Sequence, residues 1–152
     1  MITNKKIKLN ILSLFDGIGC SRLALNQCSN IEVKKYYYSE IDQNCINLTN
    51  KKFSSDIFLG PVEKINPKIL PKIDLLIGGS PCQDLSNAHK GDGLKGMRSS
   101  LFYRFINLKK FLKPKYFLLE NVKNKWSKVM DKEIGVKGVE LNSMFLSGQF
   151  RP

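Results

Sequence analysis

Apolar and polar positions along the chain follow two alternating periods. Short, nearly continuous apolar runs at residues 8–15, 33–39, 56–59, 74–77 and 115–119 predict strands, the first and last buried on both faces. Between them the spacing becomes helical. Residues 20–27 carry Leu23 and Ala24, and Asp42 is placed to cap a helix with Cys45, Ile46 and Leu48 on one face. Residues 101–112 align Leu101, Phe105, Leu108 and Leu112, with Phe102 and Ile106 beside them. Residues 126–133 read as a further helix and 139–146 as a final strand.

Strands of this length separated by helical segments predict βαβ units and hence an α/β fold on a mostly parallel sheet. In such sheets ligands bind beyond the carboxyl ends of the strands. Four strand ends here carry unusual residues: Asp16-Gly17-Ile18-Gly19, Glu40, Pro81-Cys82 and Glu120-Asn121-Val122. The topology would gather them at one crevice. With no internal repeat, low-complexity tract or linker, residues 1–152 read as one domain.

Composition narrows the classes. Of 152 residues, 42% are hydrophobic and 25% charged, enough for one core and against wholesale disorder. The net charge of +12 and pI near 9.6 favour a polyanionic partner. Lysine dominates that excess over arginine, and with the many Asn and Ile it also fits the codon bias of an AT-rich genome. No apolar run approaches the roughly 18–20 residues of a membrane span, and the lysine-bearing start lacks the apolar segment and cleavage site of a secretory signal. Four cysteines without a CxxC pair, and one histidine, argue against a structural zinc site. The expectation is a soluble, intracellular protein with reduced thiols and no metal, cytoplasmic if bacterial or phage-encoded.

The turn Phe15-Asp16-Gly17-Ile18-Gly19 resembles a nucleotide-binding strand–glycine–helix unit, with Glu40 following where an acid could accept ribose hydroxyls. An ordinary β–α turn with an exposed glutamate fits equally. The pattern is not GxGxxG, which suits a ligand without a pyrophosphate, such as S-adenosylmethionine, better than NAD. Cys82 follows Pro81 just after a strand and opens a polar loop, where a nucleophile would be exposed; a lone cysteine is also commonly a small buried hydrophobe. Glu120 directly follows four apolar residues, so it is expected either to be satisfied structurally at the strand end or to be a proton donor with a raised pKa. Cys20, Cys28 and Cys45 read as packing residues and His89 as a surface residue.

Taken in order, Leu14-Phe15-Asp16-Gly17-Ile18-Gly19, then Gly78-Gly79-Ser80-Pro81-Cys82-Gln83-Asp84-Leu85-Ser86, then Glu120-Asn121-Val122 resemble the motifs of DNA cytosine-5 methyltransferases. The Ser80–Ser86 phrase and the stretch around Leu101-Phe102 are most similar to the animal de novo branch and its phage and bacterial relatives. The resemblance implies a Rossmann-like S-adenosylmethionine-dependent methyltransferase fold with helices on both faces of the sheet. It also implies an enzyme, acting in DNA methylation and, in bacteria, restriction-modification. In the family, the cysteine matching Cys82 adds as thiolate to cytosine C6, and the glutamate matching Glu120 donates to N3. The methyl then passes to C5, leaving S-adenosylhomocysteine; loss of the C5 proton expels the cysteine. The target base must leave the duplex to reach such a pocket. By the same resemblance Phe15, Asp16, Gly17, Gly19, Glu40, Ile41, Val62 and Pro81 would bind the cofactor, with Asn121 fixing the Glu120 loop. Ser86, Lys90, Lys95 and Arg98 would meet DNA in a loop closing over it.

Two departures qualify this. At Leu59-Gly60-Pro61-Val62, proline stands where the family commonly has an acid that accepts from the adenine amino group, leaving the Val62 N–H for the ring edge. Gln149-Phe150-Arg151-Pro152 resembles the start of the Q-x-R-x-R motif, placing Arg151 among the catalytic residues but stopping one residue before the arginine that contacts the cytosine. The chain is therefore expected to be a C-terminally truncated catalytic domain, lacking the target-recognition region, that depends on a complementing C-terminal fragment or subunit. The alternatives are a catalytically silent DNA- or cofactor-binding regulatory module and a tRNA cytosine-5 methyltransferase; Gln83-Asp84-Leu85-Ser86 is less similar to the latter.

Overall fold

The computed structural model describes residues 6–79, 99–123 and 127–142. Five strands form one sheet: β1 (Ile7–Leu14), β2 (Ile31–Ser39), β3 (Ile57–Phe58), β4 (Leu75–Gly79) and β5 (Tyr116–Glu120). Their order is β3-β2-β1-β4-β5, and every neighbouring pair is parallel. Strand order reverses between β1 and β4, which opens the crevice of a doubly wound sheet at their carboxyl ends. Helices α1 (Cys20–Gln27), α2 (Gln43–Lys52), α3 (Ser99–Leu112) and α4 (Ser127–Ile134) supply the covering layers, with short 3-10 turns at Val62–Lys64 and Pro67–Ile69.

Alternation along β1 builds two cores. Leu12 and Leu14 join Leu76 of β4, Phe102, Phe105, Ile106 and Leu108 of α3, and Met130 of α4. Leu9 and Ile11 point the other way, with Tyr36 and Tyr38 of β2, Ile77 and Leu25 of α1. A strand contributing to both faces needs apolar residues at successive positions, which is what the continuous run at 8–15 signalled. At the opposite edge Asp74 holds the strands in step: its carboxylate accepts from Asn10 N at 2.9 Å, its N–H donates to Asn10 O at 2.8 Å, and its carbonyl accepts from Tyr116 N at 2.9 Å. Gly78 lets α3 approach the sheet closely, since a Cβ there would lie 2.9 Å from the Phe105 ring.

Several expectations are corrected. β5 is an edge strand among the described residues, and Leu118 is 58% exposed; only Phe117 and Leu119 turn into the α3 core. In α1 the buried residue is Leu25, while Leu23 and Ala24 are exposed. In α2 the inward pair is Ile46 and Thr49, one turn apart, and Leu48 is exposed. Cys20 and Cys28 are exposed rather than packed, and Cys45 is half-buried. Residues 139–142 have no regular structure, and 143–146 lie outside the described residues. No helix among the described residues is long and apolar enough to cross a membrane.

Candidate active site at the strand ends

The turn after β1 reverses the chain through left-handed backbone. Phe15, Gly17 and Gly19 have φ of 58°, 59° and 77°. Glycine adopts this region freely, whereas a bulky residue there is strained unless its surroundings hold it. Phe15 is held by packing against the α3 core and by the bonds of its neighbour. Asp16 N donates to Ser39 O at 3.1 Å, Gly19 N donates to Asp16 O at 3.2 Å, and the Tyr36 hydroxyl donates to Asp16 Oδ1 at 2.6 Å.

Asp16 is buried, so its carboxylate serves the turn through Tyr36. Burial raises its pKa, opposed by hydrogen bonds from Ser13 and Tyr36 and reinforced by the Glu40 charge. Burial, then the Asp16 charge, pushes the Tyr36 phenol well above its usual range. Behind this pair, Arg22 of α1 donates Nε–H to both Asp56 oxygens, at 3.2 and 3.1 Å. Its guanidinium lies over the Tyr36 and Phe53 rings. Burial raises the Asp56 pKa and Arg22 lowers it in part.

Glu40 joins the ends of β1 and β2. Its Oε2 accepts from Gly17 N at 2.7 Å, and its Oε1 accepts from Ile41 N at 2.7 Å and Asp42 N at 3.0 Å. A carboxylate offers about four acceptor positions, so one is left, on Oε2. A Cβ on Gly17 would meet nothing within 4 Å, so the turn presents open backbone there. The Ile41 side chain is 76% exposed beside it. As expected, Asp42 caps α2, accepting from Asn44 N and Cys45 N.

The β3 end completes this side. Leu59 N donates to Tyr38 O at 2.9 Å, and the Ser39 hydroxyl donates to Gly60 O at 2.7 Å. Pro61 then leads into the 3-10 turn with Val62 at its first position, where helical N–H groups have no acceptor within the turn. Arg104 of α3 closes the other end of that turn, donating Nε–H to Val62 O at 3.1 Å and Nη2–H to Ile65 O at 2.6 Å and Glu63 O at 3.4 Å.

Glu120 ends β5 in register with Gly79 of β4, two strand spacings (about 10 Å) from β1. It is exposed. A Cβ on Gly79 would lie 3.2 Å from Glu120 Oε2, so that glycine leaves room for the carboxylate. Asn121 follows, half-buried. Pro81, Cys82, Ser86, His89, Lys90, Lys95, Arg98 and Arg151 lie outside the described residues. The structure thus brings Phe15, Asp16, Gly17, Gly19, Glu40, Ile41 and Val62 to one edge, with Glu120 further along it. Sequence reasoning missed Ser39, Tyr36, Arg22, Asp56 and Arg104. The run of tyrosines in β2 and the scarcity of arginine were the only local signals for them.

Comparison with known proteins agrees with this geometry. The sequence profile of C-5 cytosine-specific DNA methylase matches residues 9–142. The chain is 41% identical over 118 residues to the orphan methyltransferase M.Rho11sI of Bacillus phage rho11s, an alignment covering 76% of this chain and 23% of that protein. It is 40% identical over 120 residues to the type II methyltransferase M1.ScrFI of Lactococcus lactis subsp. cremoris, covering 79% and 30%. It therefore spans less than a third of the length of these two relatives. The crystal structure of S. pombe Dnmt2 methyltransferase superposes with a TM-score of 0.64 at 21% identity, covering 84% of this chain and 40% of that one. That likeness shows the Rossmann-like methyltransferase fold expected from the sequence. The chain belongs to the C-5 cytosine-specific DNA methylase family.

Proposed function

We propose that residues 1–152 are the catalytic portion of a DNA cytosine-5 methyltransferase, transferring a methyl group from S-adenosylmethionine to C5 of a cytosine flipped out of DNA. The observation that carries this reading, beside family membership, is the Gly17–Glu40 junction at the crevice of the sheet. It combines open left-handed backbone with a carboxylate that has one acceptor position left. These residues fit the cofactor. The free position on Glu40 Oε2 suits a ribose hydroxyl, the exposed Ile41 side chain suits a purine face, and the Val62 N–H suits the acceptor N1 on the adenine edge. With Pro61 in place of an acid, the adenine amino group has no side-chain acceptor from that position.

When bound, S-adenosylmethionine supplies an electrophilic methyl. The work of the chain is to make cytosine nucleophilic. The Cys82 thiolate adds to C6, Glu120 donates to N3 and so lets the ring take up electron density, and the cysteine leaves as the C5 proton is lost. The exposure of Glu120 beside Gly79 supports this, because a group that must touch substrate has to be reachable. Lys90, Lys95 and Arg98 supply phosphate contacts and Ser86 a further contact to DNA, and Arg151 approaches the base. Pro81 shapes the approach to Cys82. Choice of target sequence, and turnover itself, rest on elements from the additional length present in the relatives. The setting is the cytoplasm of a bacterium, including one expressing phage genes.

The test is transfer of tritiated methyl to cytosine-containing DNA, with the C-terminal region of M.Rho11sI supplied in trans. Incorporation is expected, and Cys82→Ser abolishes it. Incorporation unaffected by that substitution would remove Cys82 from the mechanism.

A further inference from the structure

We propose that Arg104 is a positioning residue for the adenine edge of the cofactor pocket, an inference that rests on the cofactor reading above. The 3-10 turn Val62–Lys64 closes with Ile65 N donating to Val62 O at 3.3 Å, which leaves the last carbonyls without partners within the turn. The carbonyls of Val62, Glu63 and Ile65 converge on one guanidinium. Only arginine presents several donors in one rigid plane, and its charge is favourable at the negative end of a helical turn. At the other end of the same segment the Ser39 hydroxyl holds Gly60 O at 2.7 Å. The Val62 side chain is 3% exposed and packs in the core that α3 builds. Val62 is therefore gripped by its carbonyl from α3 and by its side chain from the core. Its N–H keeps the direction that the first position of the turn dictates.

The grip ties α3 to the segment that follows β3. Arg104 lies five residues, about 7.5 Å of helix rise, into α3. That helix begins at Ser99, directly after the sequence segment that carries Cys82.

The experiment is calorimetric titration with S-adenosylhomocysteine and with its analogue in which adenine N1 is replaced by C–H. The protein is used with the C-terminal region of M.Rho11sI supplied. Arg104→Met is expected to weaken S-adenosylhomocysteine about tenfold, as loss of charge-assisted hydrogen bonds would. Binding of the N1-lacking analogue stays within about twofold of wild type, because that ligand never used the Val62 N–H. Arg104→Lys, with the charge but not the fork, falls between and decides the same comparison should the Met variant not fold. Equal weakening of both ligands, or of neither, overturns the proposal. Wild-type protein that binds both ligands equally well removes the Val62 contact and the inference with it. Wild-type protein that binds neither removes the cofactor reading itself.

Discussion

Substituting Glu40→Gln removes one acceptor and inserts a donor pair while leaving shape almost unchanged. The carboxylate accepts three backbone N–H groups, from Gly17, Ile41 and Asp42. An amide has one oxygen with two acceptor positions. If that oxygen stays with Ile41 and Asp42, the amide NH2 faces the Gly17 N–H; if it flips, it faces two donors instead. The first arrangement leaves the half-buried Gly17 N–H without an acceptor, a cost of roughly 1–3 kcal/mol, and the second leaves the N–H groups of the exposed Ile41 and Asp42 to water. The ribose hydroxyl proposed for the remaining Oε2 position loses its acceptor in the first arrangement. Affinity for S-adenosylhomocysteine, by calorimetry, is therefore expected to fall tenfold or more at about 1.4 kcal/mol per decade. The melting temperature should drop by about 2–4 °C for each kcal/mol lost from the fold. An unchanged affinity and an unchanged melting temperature would refute the claim that this carboxylate organises the turn. A lower melting temperature with wild-type affinity would assign Glu40 to the fold alone.

Gly19→Ala should destabilise the protein by roughly 1–2 kcal/mol from left-handed backbone alone. The new Cβ would also lie 3.2 Å from the Phe53 ring. Urea midpoints measure the loss, and Phe53→Leu in the same chain should restore only the steric part; full restoration would show that the φ of 77° carries no strain. Burial raises the Asp16 pKa above its ordinary 3.8, so the folded chain keeps a proton that the unfolded chain has released. Its contribution to stability is then fully present below that value and is lost as pH rises through the folded pKa. Asp56 shifts in the same direction for the same leading cause. Asp16→Asn keeps an acceptor for Tyr36 and should flatten the fall in urea midpoint as pH rises above the ordinary carboxylate value of 3.8; an unchanged slope would contradict it.

The strands and helices were legible because each buries a face whose period is local. The run at 8–15 and the spacing of Phe105 and Leu108 carry their meaning within a dozen residues. Faces failed where only tertiary context decides. Leu118 looked as buried as its neighbours, but β5 has one covered side among the described residues. Leu48 lost its place to Thr49, a polar residue whose hydroxyl reaches Gly17 O at 3.5 Å. Candidate site residues such as Gly17, Glu40 and Glu120 stood out for the opposite reason, since each breaks the local rule of an apolar run or a regular turn. Their supports were not. Nothing near Arg104 in sequence says that its partners lie about forty positions earlier.

The two charged side chains flanking this edge act on backbone in complementary ways. Glu40 gathers N–H groups of the first two strand ends; Arg104 gathers C=O groups of the turn after the third. Backbone that faces a ligand cannot be held by side chains of its own glycines, so its orientation has to come from charges reaching in from neighbouring elements. The sheet, by contrast, is held by apolar burial on both faces of β1 and by ladder hydrogen bonds, neither of which passes through Glu40 or Arg104. Neutralising either charge should therefore loosen the site before it loosens the fold. The net charge of +12 says nothing about this division, because what matters at each turn is the direction of a few donors and acceptors rather than the sum of the lysines.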